Sequence, residues 1–193
     1  NIEVTMKCRI GLNKNNSYDF FKDFIYEISK SGIRIVYVHA RNAFLNGVSP
    51  KNNRNIPPLN YNFVSSIKRD FPNMQFILNG GIDSLEKAYK YSKNFDGIMV
   101  GRLIQSNPFC LAKVDEIFFE NTEQKKVKKI IINEYFEYIK SKLNEDSIFR
   151  LLSPLLFIFF AVPNGKKYKR EINEKMNNFK IDDLQTMFMK FVQ

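Results

Sequence analysis

The chain has 193 residues, of which 44% are hydrophobic, so it can bury the core of one domain or of two small ones. Its longest apolar stretch, residues 155–162, is far shorter than the roughly 20 residues that cross a bilayer, which argues against a membrane protein. A single histidine and two separated cysteines argue against a metal site, and two such thiols are typical of a reduced, intracellular protein.

The formal net charge is +10, and the basic excess is shared between residues 1–119 and 120–193. A distributed positive field of this kind suits a polyanionic partner such as a nucleic acid. A genome rich in A and T, which enriches Lys, Asn, Ile and Phe, would produce a similar composition. Charge alone therefore leaves both explanations open.

Four short apolar runs, at residues 3–8, 34–39, 74–79 and 97–101, predict strands buried on both faces. Helical patterns at 17–29, 62–71 and 84–93 lie between or after them, with Ser17 and either Asp83 or Ser84 as N-caps. This alternation predicts a parallel sheet, with a spacing near the roughly 30 residues per unit of a (β/α)8 barrel. Four units are half of a closed barrel, and the sequence opens inside its first strand. We therefore expect the chain to start in the middle of a domain.

From about residue 120 the pattern becomes helical, at 124–143, 148–160, 165–178 and 181–192. Pro154 should interrupt the second of these stretches, and residues 163–165 should form a turn. The predicted fold is therefore an α/β fold in two domains. Residues 1–119 form the second half of a TIM barrel, and residues 120–193 form an all-helical domain.

Polar side chains and glycines follow the four predicted strands, at the end where barrels build their active sites. They are Lys7–Arg9, His39–Arg41, Asn79–Gly81 and Gly101–Arg102. Glycines let a backbone approach a phosphate, although tight turns would use the same residues. Lys7 leaves an apolar strand, where an unpaired ammonium is costly, and so predicts a fixed acceptor. His39 is either a structural residue or a ligand contact.

These positions carry a family resemblance. The segments are VTMKCRIG at 4–11, VHAR at 38–41, NGGI at 79–82, DGIMVGR at 96–102 and LNGVSPKNNRNIPPL at 45–59. In this order and spacing they closely resemble the tRNA-dihydrouridine synthases, and the last segment resembles the A-type subgroup. The resemblance covers residues 1 to about 118, and the helical remainder is similar only in its length and in a basic run at 165–170.

The resemblance implies an FMN-containing barrel of which this chain carries strands five to eight. The family's FMN-binding residues correspond to Lys7, His39, Asn79, Gly80, Gly81, Gly101 and Arg102. It also implies that NADPH reduces FMN, that a hydride passes to C6 of a uracil in tRNA, and that a cysteine gives C5 its proton. That cysteine belongs to the first half-barrel, upstream of this chain. Cys8 stands at a different position and is not the acid.

The resemblance also implies tRNA contacts. Lys51 and Arg54 lie three residues apart in a long connection, so a helical turn would project both to one side. The run at 166–170 interleaves cations with Tyr168, a combination suited to phosphates and base stacking, although a solvated helix face would look alike. Lys166 and Lys169 are the predicted contacts there, where the family tends to carry Arg and Trp.

The predicted function is thus the FMN-dependent, NADPH-driven reduction of uridine to 5,6-dihydrouridine in the tRNA D-loop. The expected partners are tRNA and the first half-barrel of the same protein, with no metal and no membrane. The compartment is the cytoplasm or an organelle. Two alternatives are open: an FMN barrel that acts on a small molecule, and a non-catalytic tRNA-binding module.

Overall fold

The computed structural model describes residues 2–120, 128–159, 162–176 and 180–191. The chain forms two compact units, residues 1–101 and 102–193. The division follows Gly101, whereas the sequence places the domain boundary after Phe119. The intervening segment joins the helical unit because Phe109 packs against the hydrophobic cluster of that unit.

The first unit contains a parallel four-stranded sheet in the order β1-β2-β3-β4. Its strands are β1 (Met6–Leu12), β2 (Ile35–Ala43), β3 (Gln75–Asn79) and β4 (Gly97–Met99). The predicted α/β class with a parallel sheet is therefore confirmed. The sheet is open, with β1 and β4 at its edges among the residues that the structure describes.

The first two strands run beyond their predicted ends at Cys8 and His39. Their extensions pair with each other, Gly11 with Asn42 and Leu12 with Ala43, after an irregularity between Arg9 and Gly11. Lys7 and His39 consequently lie inside strands and not at strand ends, so those two end assignments were wrong. Asn79, in contrast, is the last residue of β3, as predicted.

Three helices of the first unit pack against the sheet: α1 (Tyr18–Lys30), α3 (Tyr61–Asp70) and α4 (Leu85–Ser92). The short α2 (Pro50–Asn53) lies in the connection between β2 and α3. Ser17 caps α1 by accepting a hydrogen bond from the Phe20 N–H, and Ser84 caps α4 by accepting from the Lys87 N–H. The core between sheet and helices is apolar and buried, and it includes Phe21, Ile25, Val36, Val38, Val64, Ile67, Phe76 and Leu78.

The second unit is built from helices in its described residues. They are α5 (Arg102–Ser106), a 3-10 helix (Pro108–Lys113), α6 (Val114–Phe119), α7 (Lys128–Lys142), α8 (Ile148–Leu152), a second 3-10 helix (Leu155–Phe159), α9 (Gly165–Lys175) and α10 (Ile181–Phe191). Parts of the predicted helices at 124–143, 148–160, 165–178 and 181–192 fall on residues outside the described ranges. The break expected at Pro154 separates α8 from the second 3-10 helix.

Buried side chains from α7, α8, α9 and α10 form the core of the second unit, including Phe136, Leu152, Ile172 and Phe188. Within the described ranges of the chain, none of the helices combines the length and the apolar character needed to cross a membrane.

Candidate functional site

The face of the sheet opposite the helices carries most of the predicted flavin-binding residues. Strand register pairs Lys7 with Tyr37, Arg9 with His39, and His39 with Asn79. Because paired residues of neighbouring strands project to the same side, these side chains share one face. The alternate residues, such as Val36 and Val38, are fully buried on the helix side. Strand periodicity thus separates a polar, partly exposed face from the core.

His39, Asn79 and Gly80 form a close group on this polar face. Asn79 pairs with His39 in the sheet and donates its Nδ2 proton to the Met99 carbonyl at 2.8 Å. Gly80 has a φ of +106°, and a Cβ at this position would lie 2.5 Å from Cδ2 and 2.9 Å from Nε2 of His39. Only a glycine backbone fits against the imidazole in this conformation. The structure therefore brings together three residues that the sequence grouped.

Gly81 continues the same turn, also with a positive φ, of +66°. A Cβ here would lie 2.4 Å from Cδ1 of Leu59. The Tyr61 hydroxyl donates to the Gly80 carbonyl at 2.7 Å, and Lys87 Nζ donates to the Gly81 carbonyl at 2.6 Å. Side chains of the protein thus bind the carbonyls of Gly80 and Gly81. The two glycines form a tight turn, which the sequence analysis gave as the alternative to a phosphate site.

Lys7 and Gly101 differ from their predicted settings. Lys7 is exposed on the uncovered face of the sheet, and the fixed acceptor that its place in an apolar strand predicts stays a prediction. Gly101 is also exposed, and a Cβ there would meet no atom within 4 Å, so space does not require a glycine. Arg102 is the exposed first residue of α5 in the second unit.

Cys8 lies on the helix side of β1, paired with Val38 in the sheet register and so opposite the face of Lys7. Burial raises the pKa of the Cys8 thiol to about 12, against the opposing effect of the Lys7 charge. A thiol in this setting stays protonated and unreactive at neutral pH. Among the described residues, no group of three His, Cys, Asp or Glu side chains is arranged to hold a metal ion.

Lys51 and Arg54 lie on one exposed helical turn, as their spacing predicts. Ser49 starts α2 by accepting a hydrogen bond from the Asn52 N–H, and the Arg54 N–H donates to the Lys51 carbonyl at 3.3 Å. Both side chains are exposed. The turn therefore presents two cations to solvent from the long connection between β2 and α3.

Arg9 and Arg41 are functional candidates to which the sequence analysis assigned no role. Arg9 Nη1 donates to the carbonyls of Asn42 and Asn53, both at 2.8 Å, and Arg41 Nη1 donates to the carbonyls of Asn55, at 3.1 Å, and Pro57. Burial and the nearby Arg41 and Arg54 guanidiniums lower the pKa of Arg9 from its ordinary value. The available signal was their period-two spacing from Lys7 and His39, which puts cations on the same face of the sheet.

In the second unit, Lys166 and Lys169 both lie on α9, as the sequence predicts. Lys166 is exposed, and Lys169 Nζ lies 5.6 Å from the centroid of the Phe157 ring. The suggestion that Tyr168 stacks on bases meets a competing contact, because its ring stacks on Phe191 at a centroid distance of 3.8 Å. Tyr168 belongs to the unit's own core, and the neighbouring cations remain candidates for binding an anion.

Fold and site together define a parallel α/β protein whose sheet gathers histidine, asparagine, lysine and glycine on the face that its helices leave uncovered. The family model described as dihydrouridine synthase (Dus) matches residues 1–191, and the chain belongs to this family.

Its relatives include proteins named tRNA-dihydrouridine(20/20a) synthase from Vibrio cholerae, Shigella flexneri and Escherichia coli strain K12. Each is 38% identical over 175 residues, which are 90% of this chain and respectively 54%, 52% and 51% of the relative. The chain thus spans about half the length of the relatives it matches. Their names agree with the A-type resemblance.

Proposed function

We propose that the protein containing this chain is an FMN-dependent tRNA-dihydrouridine synthase, which reduces uridine in the tRNA D-loop to 5,6-dihydrouridine with NADPH as the reductant. The observation that carries the proposal is the grouping of His39, Asn79 and the Gly80 backbone on the polar face of a parallel sheet, in a chain of the dihydrouridine synthase family. In this proposal the four strands are strands five to eight of a (β/α)8 barrel, completed by a first half-barrel of the same protein that supplies the proton-donating cysteine.

The residues present fit FMN. Gly80 brings its backbone against His39, where any side chain would fill the space, and Lys7 adds an exposed cation to the same face. Lys7, His39, Asn79, Gly80 and Gly81 would hold the cofactor, joined by Gly101 and Arg102, the latter suited to a phosphate because of its forked guanidinium. When bound, FMN would supply the hydride. Lys7 would hold positive charge near the reduced ring, and preorganised charge of this kind is a large term in catalysis.

For the substrate, we propose that Lys51 and Arg54 bind tRNA phosphates from the α2 turn, and that residues 120–193 form a tRNA-binding domain through Lys166 and Lys169. Both pairs lie on helical segments at a spacing of three residues, so each pair can follow neighbouring phosphates on one side of its helix. A tRNA substrate places the activity in the cytoplasm or in an organelle that contains tRNA.

The test of the activity uses the natural full-length protein loaded with FMN. The flavin is reduced anaerobically with NADPH and then mixed with unmodified tRNA, with free uridine, or with small carbonyl and alkene oxidants. We expect flavin reoxidation only with tRNA, together with dihydrouridine in the product. Reoxidation by small molecules and not by tRNA would contradict the proposal and favour the small-molecule barrel, whereas tRNA binding without reoxidation would favour a binding module.

The tRNA contacts are tested by Lys51→Ala and Arg54→Ala, with Lys90→Ala as a matched control. Lys90 is an exposed cation in the last turn of α4. Each loop variant should weaken tRNA binding and reduce the slope of log Kd against log salt concentration by about 0.7 to 0.9, the value for one phosphate contact. Lys90→Ala should change neither. If all three variants keep the wild-type slope, the α2 cations do not bind phosphate.

A further inference from the structure

Two arginines from neighbouring strands hold the backbone of the α2 turn and of the residues that follow it. Arg9, on β1, donates to the Asn53 carbonyl, and Arg41, on β2, donates to the carbonyls of Asn55 and Pro57. Arg41 is only 9% exposed. Connections usually run over the protein surface and are more mobile than the elements they join. Here three carbonyls within five residues are bound by guanidiniums of the sheet, through hydrogen bonds that are stronger than neutral ones.

Asn53 closes the same segment on itself. Its side chain accepts a hydrogen bond from the Phe44 N–H at 3.0 Å and donates to the Phe44 carbonyl. The Leu45 N–H donates to the Asn13 side chain at 2.9 Å, which ties the beginning of the segment to the end of β1. The segment that carries Lys51 and Arg54 is therefore fixed at both of its ends, through β1, β2 and the residues that follow these strands.

We infer that Arg9 is a positioning residue for tRNA, which fixes the Lys51/Arg54 turn relative to the strand that carries Lys7. Arg9 follows Lys7 by two residues, so both side chains lie on the same face of β1. One strand thus joins the proposed flavin contact to the proposed tRNA contact, and the Arg9–Asn53 hydrogen bond sets the separation between them. This inference rests on the proposed function.

The physical benefit is preorganisation. A connection that is ordered before tRNA arrives loses less conformational entropy when it binds, which lowers the dissociation constant without any new contact. The separation between Lys51 or Arg54 and Lys7 would also stay constant from one molecule to the next. A turn anchored in this way presents the tRNA backbone at one fixed distance from the flavin face.

The experiment compares Arg9→Lys and Asn53→Ala in the full-length flavoprotein. Lysine keeps the charge of Arg9 but lacks the rigid, planar guanidinium whose Nη1 donates to both carbonyls. Asn53→Ala keeps the carbonyl and the guanidinium but removes both Phe44 hydrogen bonds and the long 3.5 Å bond from Arg9 Nη1 to the Asn53 side chain. It therefore loosens the turn without changing Lys7, His39 or Asn79. Arg69→Lys is the matched control, because Arg69 donates to Ser66 in the last turn of α3, away from this segment.

We expect Arg9→Lys and Asn53→Ala each to raise KM for tRNA about tenfold, the equivalent of one hydrogen bond to a charged group. We expect the wild-type kcat at saturating tRNA and the wild-type flavin spectrum. The salt slope should fall by about the value of one phosphate contact, although Asn53 has no charge, because the α2 cations lose their alignment. In a Lys51→Ala, Arg54→Ala background, Asn53→Ala should have no further effect, which is the signature of coupled residues.

Three results would overturn the positioning role. Asn53→Ala could bind tRNA as the wild type does, or its effect could add to that of losing the α2 cations. Alternatively, Arg9→Lys could lower kcat at unchanged KM, which would mean that Arg9 acts directly on the reacting groups. If Arg9→Lys does not fold, the comparison of Asn53→Ala in the wild type and in the Lys51→Ala, Arg54→Ala background decides whether the anchoring of the turn positions the two cations. Wild-type protein that fails to reduce tRNA contradicts the proposed function itself, whereas variants that turn over tRNA with the wild-type KM overturn only this inference.

Discussion

The contact between Gly80 and His39 gives a sharp test of the site. Replacing Gly80 by alanine places a Cβ at a φ of +106° and 2.5 Å from Cδ2 of the imidazole. The backbone strain costs on the order of 1–3 kcal/mol. Moving a strand side chain out of the way costs about 1–3 kcal/mol more, as in other overpacked sites. We therefore expect the free energy of unfolding of the first unit to fall by about 2–6 kcal/mol.

Gly32→Ala separates these two contributions. Gly32 has a similar φ of +87°, but a Cβ there would meet no atom within 4 Å, so alanine suffers the strain alone. The lower entropy of the unfolded chain, which favours alanine over glycine, is the same in both variants. Thermal unfolding should give Gly80→Ala a loss in Tm of at least about 8 °C, since 1 kcal/mol corresponds to about 4–8 °C in a unit of this size. Its Tm should also be clearly lower than that of Gly32→Ala.

An additional His39→Ala substitution should recover part of the Gly80→Ala loss, because it removes the ring that the Cβ meets. Equal Tm values for Gly80→Ala and Gly32→Ala would refute the close approach of the Gly80 backbone to His39. The grouping from which we propose a flavin site would then lose its main support.

Three further outcomes follow from the sheet and its edges. In the full-length protein, Lys7→Ala should weaken FMN binding or slow hydride transfer, measured by flavin titration and anaerobic reoxidation; unchanged values for both would exclude a flavin contact. Burial raises the pKa of Asp96, but hydrogen bonds from Lys68 and the Phe76 N–H outweigh it and hold the pKa below the ordinary 3.8. The ionised carboxylate stabilises the fold above pH 3.8, and this contribution is lost as pH falls through the lower pKa of the folded state. The Tm of Asp96→Asn should therefore decline less steeply than that of the wild type in this pH range. Equal declines for the two proteins would contradict a stabilising role of the Asp96 carboxylate. The 193-residue chain alone has an open sheet with edges at β1 and β4, so it should associate through them and bind FMN weakly or not at all. Light scattering and an FMN titration would test this, and a monodisperse monomer with micromolar FMN affinity would contradict it.

Local rules predicted the elements whose determinants lie within a few residues. Ser17 and Ser84 cap helices because a hydroxyl accepts from an N–H three residues later, and Pro154 breaks a helix because it lacks an N–H. The alternation of apolar strands and amphipathic helices likewise predicted a parallel sheet. The same pattern did not show which face the helices cover, because it predicted strands buried on both faces, whereas burial alternates along β2 and β3.

The ends of β1 and β2 depend on pairing between distant segments. Gly11 and Asn42 look like the residues of a turn, yet they pair with each other, and the Asn42 side chain donates to the Asn13 carbonyl at 2.7 Å. This contact joins residues 29 positions apart, so no local pattern contains it. The environment of Lys7 is likewise non-local, because it depends on what covers that face of the sheet and not on the apolar neighbours of Lys7 in the strand.

The sequence predicted which residues belong to the candidate site, but it did not predict their hydrogen-bond partners. The sequence grouped His39, Asn79 and Gly80 by the rule that the ends of parallel strands share one edge, whereas His39 lies inside β2 and meets Asn79 through the strand register. The acceptors of Arg9 lie 33 and 44 residues away and are carbonyls, which every residue carries. An acceptor common to all residues leaves no signature in the sequence, so the anchoring of the α2 segment became visible only in three dimensions.

The use of main-chain acceptors has a consequence for how this enzyme family can change. Arg9 and Arg41 bind the carbonyl oxygens of residues 53, 55 and 57, and a carbonyl survives every substitution, proline included. The outward-facing side chains of the connection are therefore decoupled from the groups that hold it down. New residues at positions such as 51 and 54 can be sampled one at a time, on a support that stays in place. If these positions contact tRNA as we propose, recognition of a different RNA surface is open to stepwise selection or to a designed library without rebuilding the sheet beneath it.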